Sequence, residues 1–301
     1  MMTSVAIKKQ RHERMIIMTQ ATITLSDKNK IPAIGFGAMI DPDQTYDAVR
    51  DAINAGYRHI DTAAGYMNES EVGRAIKDSG IPRDELFITS KLWLQDYGVE
   101  AAQEGLKASL KKLGLDYMDM YLLHQPFGDV VGAWKGLEIA QKQGLVKSIG
   151  VSNLNAALWK QFVPQFNVLP AINQVEFNPL FQEKELRAVM AQDKVPLEAW
   201  YPLGHGNQGL MANPDLQEIA EKYGKDVGQV IIRFEVQEGV VTLPKSSHQS
   251  RIKSNLDVFD FTLTQDEMAI IHSLDTGKGT YDPQAAGVEQ FLRAHIDVHQ
   301  N

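Results

Sequence analysis

Apolar and polar positions alternate regularly along most of the chain. From residue 34 onward, short apolar segments typical of buried strands are followed by longer segments with the 3.6-residue periodicity of amphipathic helices. The predicted strands are residues 34–37, 58–61, 86–91, 118–124, 148–152, 171–176, 195–200 and 240–244. The helical segments between them include residues 44–55, 69–78, 99–113, 133–143, 156–162 and 184–193. Strands that alternate with helices in this way predict a parallel sheet.

Eight such units predict an α/β fold, a closed (β/α)8 TIM barrel, because a barrel of this kind usually takes about 250 residues. Two short apolar segments around residues 26–30 predict an N-terminal β-hairpin. Helical patterns at 214–223, 227–238 and 264–273 predict extra helices near the C-terminus. No linker rich in proline, glycine or serine divides the sequence. We therefore expect one barrel domain over residues 21–301.

The composition is that of a globular protein, with 44% hydrophobic and 23% charged residues. No apolar run reaches the roughly 20 residues of a membrane helix. The net charge of −8 argues against a nucleic-acid surface. The chain has no cysteine, which excludes disulfides, thiolate catalysis and cysteine-ligated metals. We expect a cytoplasmic monomer that acts on a small molecule and binds neither membranes nor nucleic acid.

Residues 1–20 do not follow the barrel pattern. Basic residues between Lys8 and Arg14 precede a short apolar stretch, residues 15–18. This order resembles a secretory signal, but the apolar stretch is too short and no small-residue cleavage site follows it. We expect a disordered extension, with Met15 or Met18 as alternative start positions.

Four polar residues lie at or just after predicted strand ends. Asp61 ends the second strand, Lys91 the third and His124 the fourth, and Tyr66 lies in the loop after the second. Because active sites in this fold lie at the C-terminal ends of the strands, the four side chains are expected to meet at one rim. The alternative is structural: an Asp–Lys pair that stabilises the rim, with Tyr66 only packing against it.

Two near-continuous motifs surround these positions. Gly56 to Ala63 reads Gly-Tyr-Arg-His-Ile-Asp-Thr-Ala, and Tyr66 to Glu69 reads Tyr-Met-Asn-Glu. Together with the lysine and histidine they resemble the aldo-keto reductases, and the resemblance extends over residues 22–261. It implies reduction of an aldehyde or ketone with NADPH.

The resemblance assigns a role to each of the four residues. Tyr66 is the general acid, Lys91 adjusts its pKa, Asp61 pairs with Lys91, and His124 donates a hydrogen bond to the carbonyl. A free tyrosine, with a pKa of about 10, is a poor proton donor at neutral pH. Because a neighbouring ammonium favours the phenolate, we expect the pKa of Tyr66 to be lowered.

The resemblance also implies an NADPH site on the later strands. Its residues are Ser152, Asn153, Gln174, Trp200, Leu203, Gly204, Lys245, Ser246, Arg251 and Asn255. The first three are expected at the nicotinamide carboxamide, and Trp200 is expected to stack on the ring. The alternative for Trp200 is packing in the core.

The basic segment after the eighth strand is the most specific cofactor signal. In the family this segment holds the 2′-phosphate and the adenine. A phosphate dianion needs a cationic clamp and a hydroxyl donor, which Lys245, Ser246 and Arg251 supply. NADPH is therefore expected in preference to NADH. The alternative is a solvated basic turn.

Residues 204–209 match the dinucleotide-binding fingerprint letter by letter. That fingerprint requires a helix directly after the glycines within a βαβ unit, whereas Ala212-Asn213-Pro214 interrupts the sequence here. The family resemblance instead implies a mobile loop, including Leu203 and Gly204, that folds over the cofactor pyrophosphate.

Several positions depart from the usual family pattern, namely Gln125, Leu154, Asn178, Tyr201 and Ser254. Gln125 stands where an aromatic residue is common, which makes the pocket wall more polar. Tyr201 replaces a small residue and narrows the site, and Ser254 puts one adenine contact in doubt. The expected pocket wall is Met39, Trp93, Gln125 and Phe127.

The loop after His124 is short, which favours an open site and broad specificity for small carbonyls, α-dicarbonyls or keto-sugars. In this respect the chain resembles the bacterial branch that includes 2,5-diketo-gluconate and glyoxal reductases.

Two other functions remain open from the sequence. A barrel of this family can serve as a cofactor-binding regulatory or redox-sensing subunit with little turnover, although a binding module needs no tuned phenol. A metal-dependent hydrolase could use His59, Asp61, His124 and His205 as ligands. Against that reading, the eighth strand is followed by Lys245, a cation where a ligand is needed, and we expect no metal.

Overall fold

The computed structural model of the protein describes residues 21–300. The extension predicted for residues 1–20 lies outside the described residues. The strands are β1 Thr22–Thr24, β2 Lys30–Pro32, β3 Phe36–Gly37, β4 His59–Asp61, β5 Phe87–Leu92, β6 Met118–Leu123, β7 Val146–Ser152, β8 Asn173–Glu176, β9 Leu197–Trp200 and β10 Val241–Thr242. The helices are α1 Pro42–Ala55, α2 Glu69–Asp78, α3 Val99–Leu113, α4 Val130–Lys142, α5 Ala156–Phe162, α6 Lys184–Asp193, α7 Gln208–Met211, α8 Pro214–Tyr223, α9 Val227–Gln237, α10 Gln249–Leu256, α11 Gln265–Ser273 and α12 Val288–His295.

Strands β3 to β10 form one parallel sheet in chain order. The sheet curls until its first and last strands meet, where Gly35 donates from its N–H to the Thr242 carbonyl at 2.9 Å and Thr242 donates to the Ala33 carbonyl at 3.0 Å. A third bond joins the Gly37 N–H to the Pro244 carbonyl at 3.3 Å. The predicted α/β (β/α)8 barrel is therefore confirmed, with helices packed around the strands.

The predicted hairpin is present and lies at the N-terminal end of the barrel. Strands β1 and β2 pair antiparallel, with Ile23 opposite Ile31. Leu25 and Ile31 are buried in one apolar cluster with residues on or just before strands β6, β8 and β10, namely Met120, Leu122, Ala171, Ile172 and Val241. The hairpin closes this end of the barrel, so the opposite end is the one available for a site.

Most helix boundaries follow the sequence pattern, and the exceptions have local causes. Helix α4 begins at Val130, earlier than predicted, because the Asp129 side chain accepts a hydrogen bond from the Gly132 N–H and caps it. Helix α1 begins at Pro42, whose fixed backbone angle suits the first helical position.

The extra helices predicted near the C-terminus are present, and α10 and α12 are additional to them. Helix α10 follows β10, and α12 returns across the rim so that Leu292 and Ile296 pack near Trp93. Within residues 21–300, no helix is both long enough and apolar enough to cross a membrane.

Candidate active site

Parallel register places the predicted site residues at one end of the barrel. Asp61 is the last residue of β4 and lies level with Thr89 of β5, two positions before Lys91. His124 follows β6, and Trp200 ends β9 level with Glu176 of β8. The C-terminal ends of the strands therefore form the site.

Lys91 is the centre of the arrangement. Its ammonium donates to Asp61 Oδ1 at 2.5 Å, to the Thr62 carbonyl at 2.9 Å and to Tyr66 Oη at 3.4 Å. Its side chain is fully buried. A buried charge is stable only when it is paired and its hydrogen bonds are satisfied. The sequence therefore places the lysine, the aspartate and the tyrosine within one hydrogen-bonded group.

Burial shifts the pKa values of this group. It raises the pKa of Asp61, against the opposing effect of Lys91. Burial alone would lower the pKa of Lys91, but Asp61 and Tyr66 raise it above its usual value. The pair is ionised, because both carboxylate oxygens accept hydrogen bonds and the ammonium has three acceptors.

The expected lowering of the Tyr66 pKa is wrong in direction. Burial raises the pKa of Tyr66, and Lys91 offsets only part of that rise. The physical reason is that a phenolate loses more solvation in this pocket than one ammonium at 3.4 Å restores. Tyr66 is therefore held as a neutral phenol, the form that can give up a proton.

His124 lies beside Tyr66 and lines the same cavity. Its ring packs edge-on against Tyr66 at 5.5 Å between centroids and against Trp93 at 5.1 Å. Burial, and then the charge of Lys91, lowers the pKa of His124 well below its ordinary value. The imidazole is therefore neutral and carries one N–H, so it can donate to an oxygen without adding a charge.

A cavity of about 1000 Å³ opens over these residues. Its walls include most of the residues predicted from sequence: Met39, Asp61, Tyr66, His124, Gln125, Ser152, Asn153, Gln174, Trp200, Leu203, Lys245, Arg251 and Asn255. Tyr66, the residues expected at the nicotinamide carboxamide and the basic segment after β10 thus line the same cavity.

Five predicted residues lie outside the cavity walls. Lys91 is behind Tyr66, and Trp93 is behind His124, almost completely buried. Phe127 packs against the cluster beneath α12. Ser246 Oγ accepts from the His248 N–H at 3.0 Å, and Gly204 adjoins the wall in a short 3-10 turn. The structure therefore places Trp93 and Phe127 in packing positions rather than on the pocket surface.

Side-chain amides organise the floor of the cavity. Trp200 Nε1 donates to Asn153 Oδ1 at 3.0 Å, which fixes the indole plane. Gln174 Nε2 donates to Asp61 Oδ2 at 2.9 Å and to Glu198 Oε2 at 2.8 Å. With both hydrogens of its amide used, Gln174 can offer only its oxygen to a ligand.

Several residues near the site were not assigned from the sequence, and Glu198, Tyr201 and Tyr281 are three of them. Glu198 is buried beneath the floor, and its signal was an acidic residue inside the otherwise apolar β9. Tyr201, noted only as a departure, lines the cavity and packs edge-on against Trp200 at 4.8 Å. Tyr281 reaches the cavity from the C-terminal segment, where no periodicity marks it.

The β10 side of the cavity carries the cations. Lys245 follows β10, and Arg251 and Asn255 lie four residues apart on one face of α10. Neither cation has an ion-pair partner among residues 21–300. This donor set fits a phosphate.

The loop between β9 and α8 contains short helical elements. Residues 204–211 form a 3-10 turn, Gly204–Gly206, and the short helix α7. Asn207 caps α7 by accepting from the Leu210 N–H. The helix is too short to be that of a dinucleotide fingerprint, which opens a full crossover helix.

Two of the residues considered as metal ligands, His59 and Asp61, have other partners. His59 Nε2 lies 3.0 Å from Thr89 Oγ1, and Asp61 is paired with Lys91. Across the described part of the chain, no three histidine or carboxylate side chains come together in a group that could hold a metal ion.

Comparison with known proteins agrees with this geometry. Residues 33–276 match the model of the aldo/keto reductase family. An aldo-keto reductase of Mycolicibacterium smegmatis is 45% identical over 85% of this chain and 94% of its own length. The methylglyoxal reductase DkgA of Escherichia coli is 43% identical with the same coverage. An aldo-keto reductase of Bombyx mori, crystallised with NADP, superposes with a TM-score of 0.82 at 36% identity, over 87% of this chain and 95% of that one. The chain therefore belongs to the aldo/keto reductase family of oxidoreductases.

Proposed function

We propose that this protein reduces aldehydes and ketones to alcohols with NADPH, with Tyr66 as the proton donor. In the overall reaction, the carbonyl compound, NADPH and one proton give the alcohol and NADP⁺. One observation carries the proposal: Lys91 Nζ is bonded to Asp61 and lies 3.4 Å from Tyr66 Oη, beneath a cavity that His124 also lines.

The residues around Tyr66 have different roles at the carbonyl oxygen of the substrate. The neutral His124 can donate a hydrogen bond that orients this oxygen towards Tyr66. Tyr66 holds its proton because burial raises its pKa, and Lys91 stabilises the negative charge that remains when the proton leaves. Asp61 keeps Lys91 charged and in place. A positioned general acid of this kind contributes roughly 10² to 10⁴ in rate.

The rest of the cavity fits NADPH. Trp200, held by Asn153, offers a flat face for the nicotinamide ring, and the free amide oxygen of Gln174 suits the N–H donors of its carboxamide. Lys245 and Arg251 line the cavity on its β10 side and can supply the cationic clamp that a 2′-phosphate needs. When bound, the cofactor supplies the hydride.

We also propose that the protein acts in the cytoplasm, as a monomer, on small-molecule carbonyls. The absence of cysteine is compatible with a reducing compartment. The acidic net charge of −8 does not favour a nucleic-acid partner.

Replacing Tyr66 by phenylalanine tests the proposed proton donor. Tyr66→Phe removes the hydroxyl and leaves the ring, so turnover should fall roughly 10² to 10⁴-fold. The affinity for NADPH, measured by quenching of tryptophan fluorescence, should change little because the hydroxyl is not part of the phosphate or adenine end.

The matched control is Tyr46→Phe, which removes a phenol that bonds Asp78 at the surface of α1. It should leave the rate unchanged. Full turnover in Tyr66→Phe would show that another group delivers the proton, and loss of activity in both variants would point to a general effect of losing a hydroxyl.

A further inference from the structure

Gln125 occupies the wall of the cavity next to His124, and its backbone is held rigidly. Its N–H donates to Tyr97 Oη at 3.1 Å, and its carbonyl accepts from the same hydroxyl at 2.6 Å. The residue is only 8% exposed and lines the cavity. Its side chain therefore starts from a fixed point on the rim after β6.

A chain of hydrogen bonds fixes which end of the Gln125 amide faces which neighbour. An indole N–H can only donate, so the Asn153 atom bonded to Trp200 at 3.0 Å is the oxygen. Asn153 Nδ2 is then the donor that reaches the His124 carbonyl at 3.0 Å and Gln125 Oε1 at 3.4 Å. The oxygen of Gln125 therefore faces Asn153.

The same oxygen is engaged from the other side. Tyr281 Oη donates to Gln125 Oε1 at 2.7 Å. Tyr281 is itself held by a carboxylate, because Glu176 Oε2 accepts from the Thr280 N–H at 2.7 Å, from Thr280 Oγ1 at 2.9 Å and from the Tyr281 N–H at 3.2 Å. The C-terminal segment is thereby fastened across the cavity, and it locks the glutamine amide.

The nitrogen of Gln125 is left with no acceptor among residues 21–300. The residue is more than nine-tenths buried, but this nitrogen keeps some accessible surface. Amide N–H groups inside folded proteins are nearly always hydrogen-bonded, to protein or to water. Because Gln125 lines the cavity next to His124, its free amide nitrogen can donate to an oxygen of a ligand there.

The charge distribution indicates that this oxygen is uncharged. The lysine and arginine that line the cavity, Lys245 and Arg251, both follow β10 at the cofactor end. Lys91 is paired with Asp61, and burial lowers the pKa of His124 so that it is neutral. Arg293 of α12 acts electrostatically on Tyr97, but it is paired with Glu289 at 2.8 Å and does not line the cavity. A carboxylate near Gln125 would therefore find no unpaired cation among the described wall residues, whereas a carbonyl or hydroxyl would find the amide.

We propose, resting on the carbonyl reduction proposed above, that Gln125 makes the site selective for substrates with a second neutral oxygen on the carbon next to the reacting carbonyl. His124 and Gln125 are consecutive residues that both line the cavity, so one can receive the reacting oxygen while the other receives its neighbour. The class comprises α-dicarbonyls and α-hydroxycarbonyls without a charged group.

The experiment compares matched substrates with and without the second oxygen. NADPH-dependent kcat/KM is measured for diacetyl against butanone and for methylglyoxal against propanal, in the wild type and in Gln125→Leu. Because dicarbonyls are intrinsically more electrophilic, the quantity that matters is the change in each ratio. Loss of one good hydrogen bond predicts a fall of about tenfold in both ratios.

Two further variants make the result decisive. Gln141→Leu, which changes a partly exposed glutamine on α4 that donates to the Lys147 carbonyl, is the control and should leave both ratios unchanged. Tyr281→Phe removes the donor that locks the amide and should lower both ratios severalfold, even if Gln125→Leu fails to fold.

The outcomes separate the two proposals. Ratios that stay at the wild-type value in both Gln125→Leu and Tyr281→Phe, with turnover intact, would overturn the role of Gln125 and leave carbonyl reduction standing. No NADPH-dependent turnover by the wild type on any of the four substrates would overturn the proposed function, and this inference with it.

Discussion

The ammonium of Lys91 donates hydrogen bonds to three acceptors, and together they fix its position. The Asp61 carboxylate and the Thr62 carbonyl are close, whereas Tyr66 Oη is the most distant of the three. A phenol that loses its proton gains negative charge, so its bond to the ammonium becomes charge-assisted and shortens. The lysine therefore favours the product of proton transfer more than the resting phenol.

Glu198 extends this group into the centre of the barrel. It accepts from Gln174, but its Oε1 has no hydrogen-bond partner among the described residues. Burial, and then the nearby Asp61 carboxylate, raises the pKa of Glu198 to about 8. In the folded protein the carboxyl is therefore protonated at neutral pH, whereas in the unfolded chain it is ionised.

This difference makes the free energy of unfolding depend on pH. Between the ordinary value of 4.5 and about 8, the folded state holds a proton that the unfolded state has lost, so stability falls as the pH rises. The Glu198→Gln variant is neutral at every pH. Its stability relative to the wild type should be higher at pH 8.5 than at pH 5, by up to about 1.4 kcal/mol for each unit that separates the two pKa values.

Urea unfolding of both proteins at the two pH values measures this effect. Glu104→Gln, which changes an exposed carboxylate on α3, is the control and should show the same difference from the wild type at both. If Glu198→Gln also shows no dependence on pH, then Glu198 is ionised in the folded protein and the unfavourable charge is compensated by other groups.

The polar site residues that lie at strand ends could be predicted from the sequence. Asp61, Lys91 and His124 were expected at one rim, and the structure brings them together around Tyr66. Trp93 and Phe127 were expected on the pocket surface but pack behind it, because side-chain direction in a loop is decided by its neighbours. Tyr281 could not be predicted, since its position depends on three hydrogen bonds that Thr280 and Tyr281 donate to Glu176, which is distant in sequence.

At the level of elements, the turn from β10 into α10 forms the cationic end of the cavity. Lys245 contributes from the loop, and Arg251 from the helix. Replacing both by alanine should weaken NADPH binding at least tenfold, since a hydrogen bond to a charged group is worth about 1.5–3 kcal/mol. Binding of NADH, which lacks the 2′-phosphate, should be nearly unchanged.

The measurement is KM and Kd for both cofactors in the double variant. Lys253→Ala is the matched control, because it removes an exposed cation from the same helix that does not line the cavity. An equal loss for NADPH and NADH would mean that these residues hold the shared part of the cofactor, and no loss for either would place the phosphate elsewhere.

The elements themselves were predictable where apolar spacing was regular. Helices α2, α3, α5, α6 and α8 have the predicted bounds. The sequence predicts only a basic segment where α10 lies, because Ile252 and Leu256 are the only large apolar residues of this helix and two positions do not establish a period. Helix α12 has a clear amphipathic pattern, but it lies after the last barrel strand, where no β/α alternation predicts its place.

At the level of the whole molecule, the hairpin and the candidate active site lie at opposite ends of the barrel. The hairpin closes the N-terminal end, and Ile31 is fully buried there. Ile31→Ala should lower the free energy of unfolding by about 2–5 kcal/mol, since it removes buried methyl groups and leaves a cavity. The kcat measured well below the unfolding temperature should stay at the wild-type value.

Thermal unfolding and kinetics on the same samples test this separation. Thr24→Ala, an exposed change on the same hairpin, should affect neither property. A fall in kcat for Ile31→Ala at a temperature where the protein is fully folded would show that packing at the hairpin end affects the active site at the other end of the barrel.

The bonds that close the barrel join its first strand to its last, Gly35 and Ala33 to Thr242. The ribosome makes these partners at widely separated times, so a growing chain carries an unpaired sheet edge until the eighth unit has emerged. Open edges recruit other strands, and contacts distant in sequence form slowly. The incomplete chain, rather than the finished enzyme, is therefore the form most exposed to aggregation and most in need of chaperones.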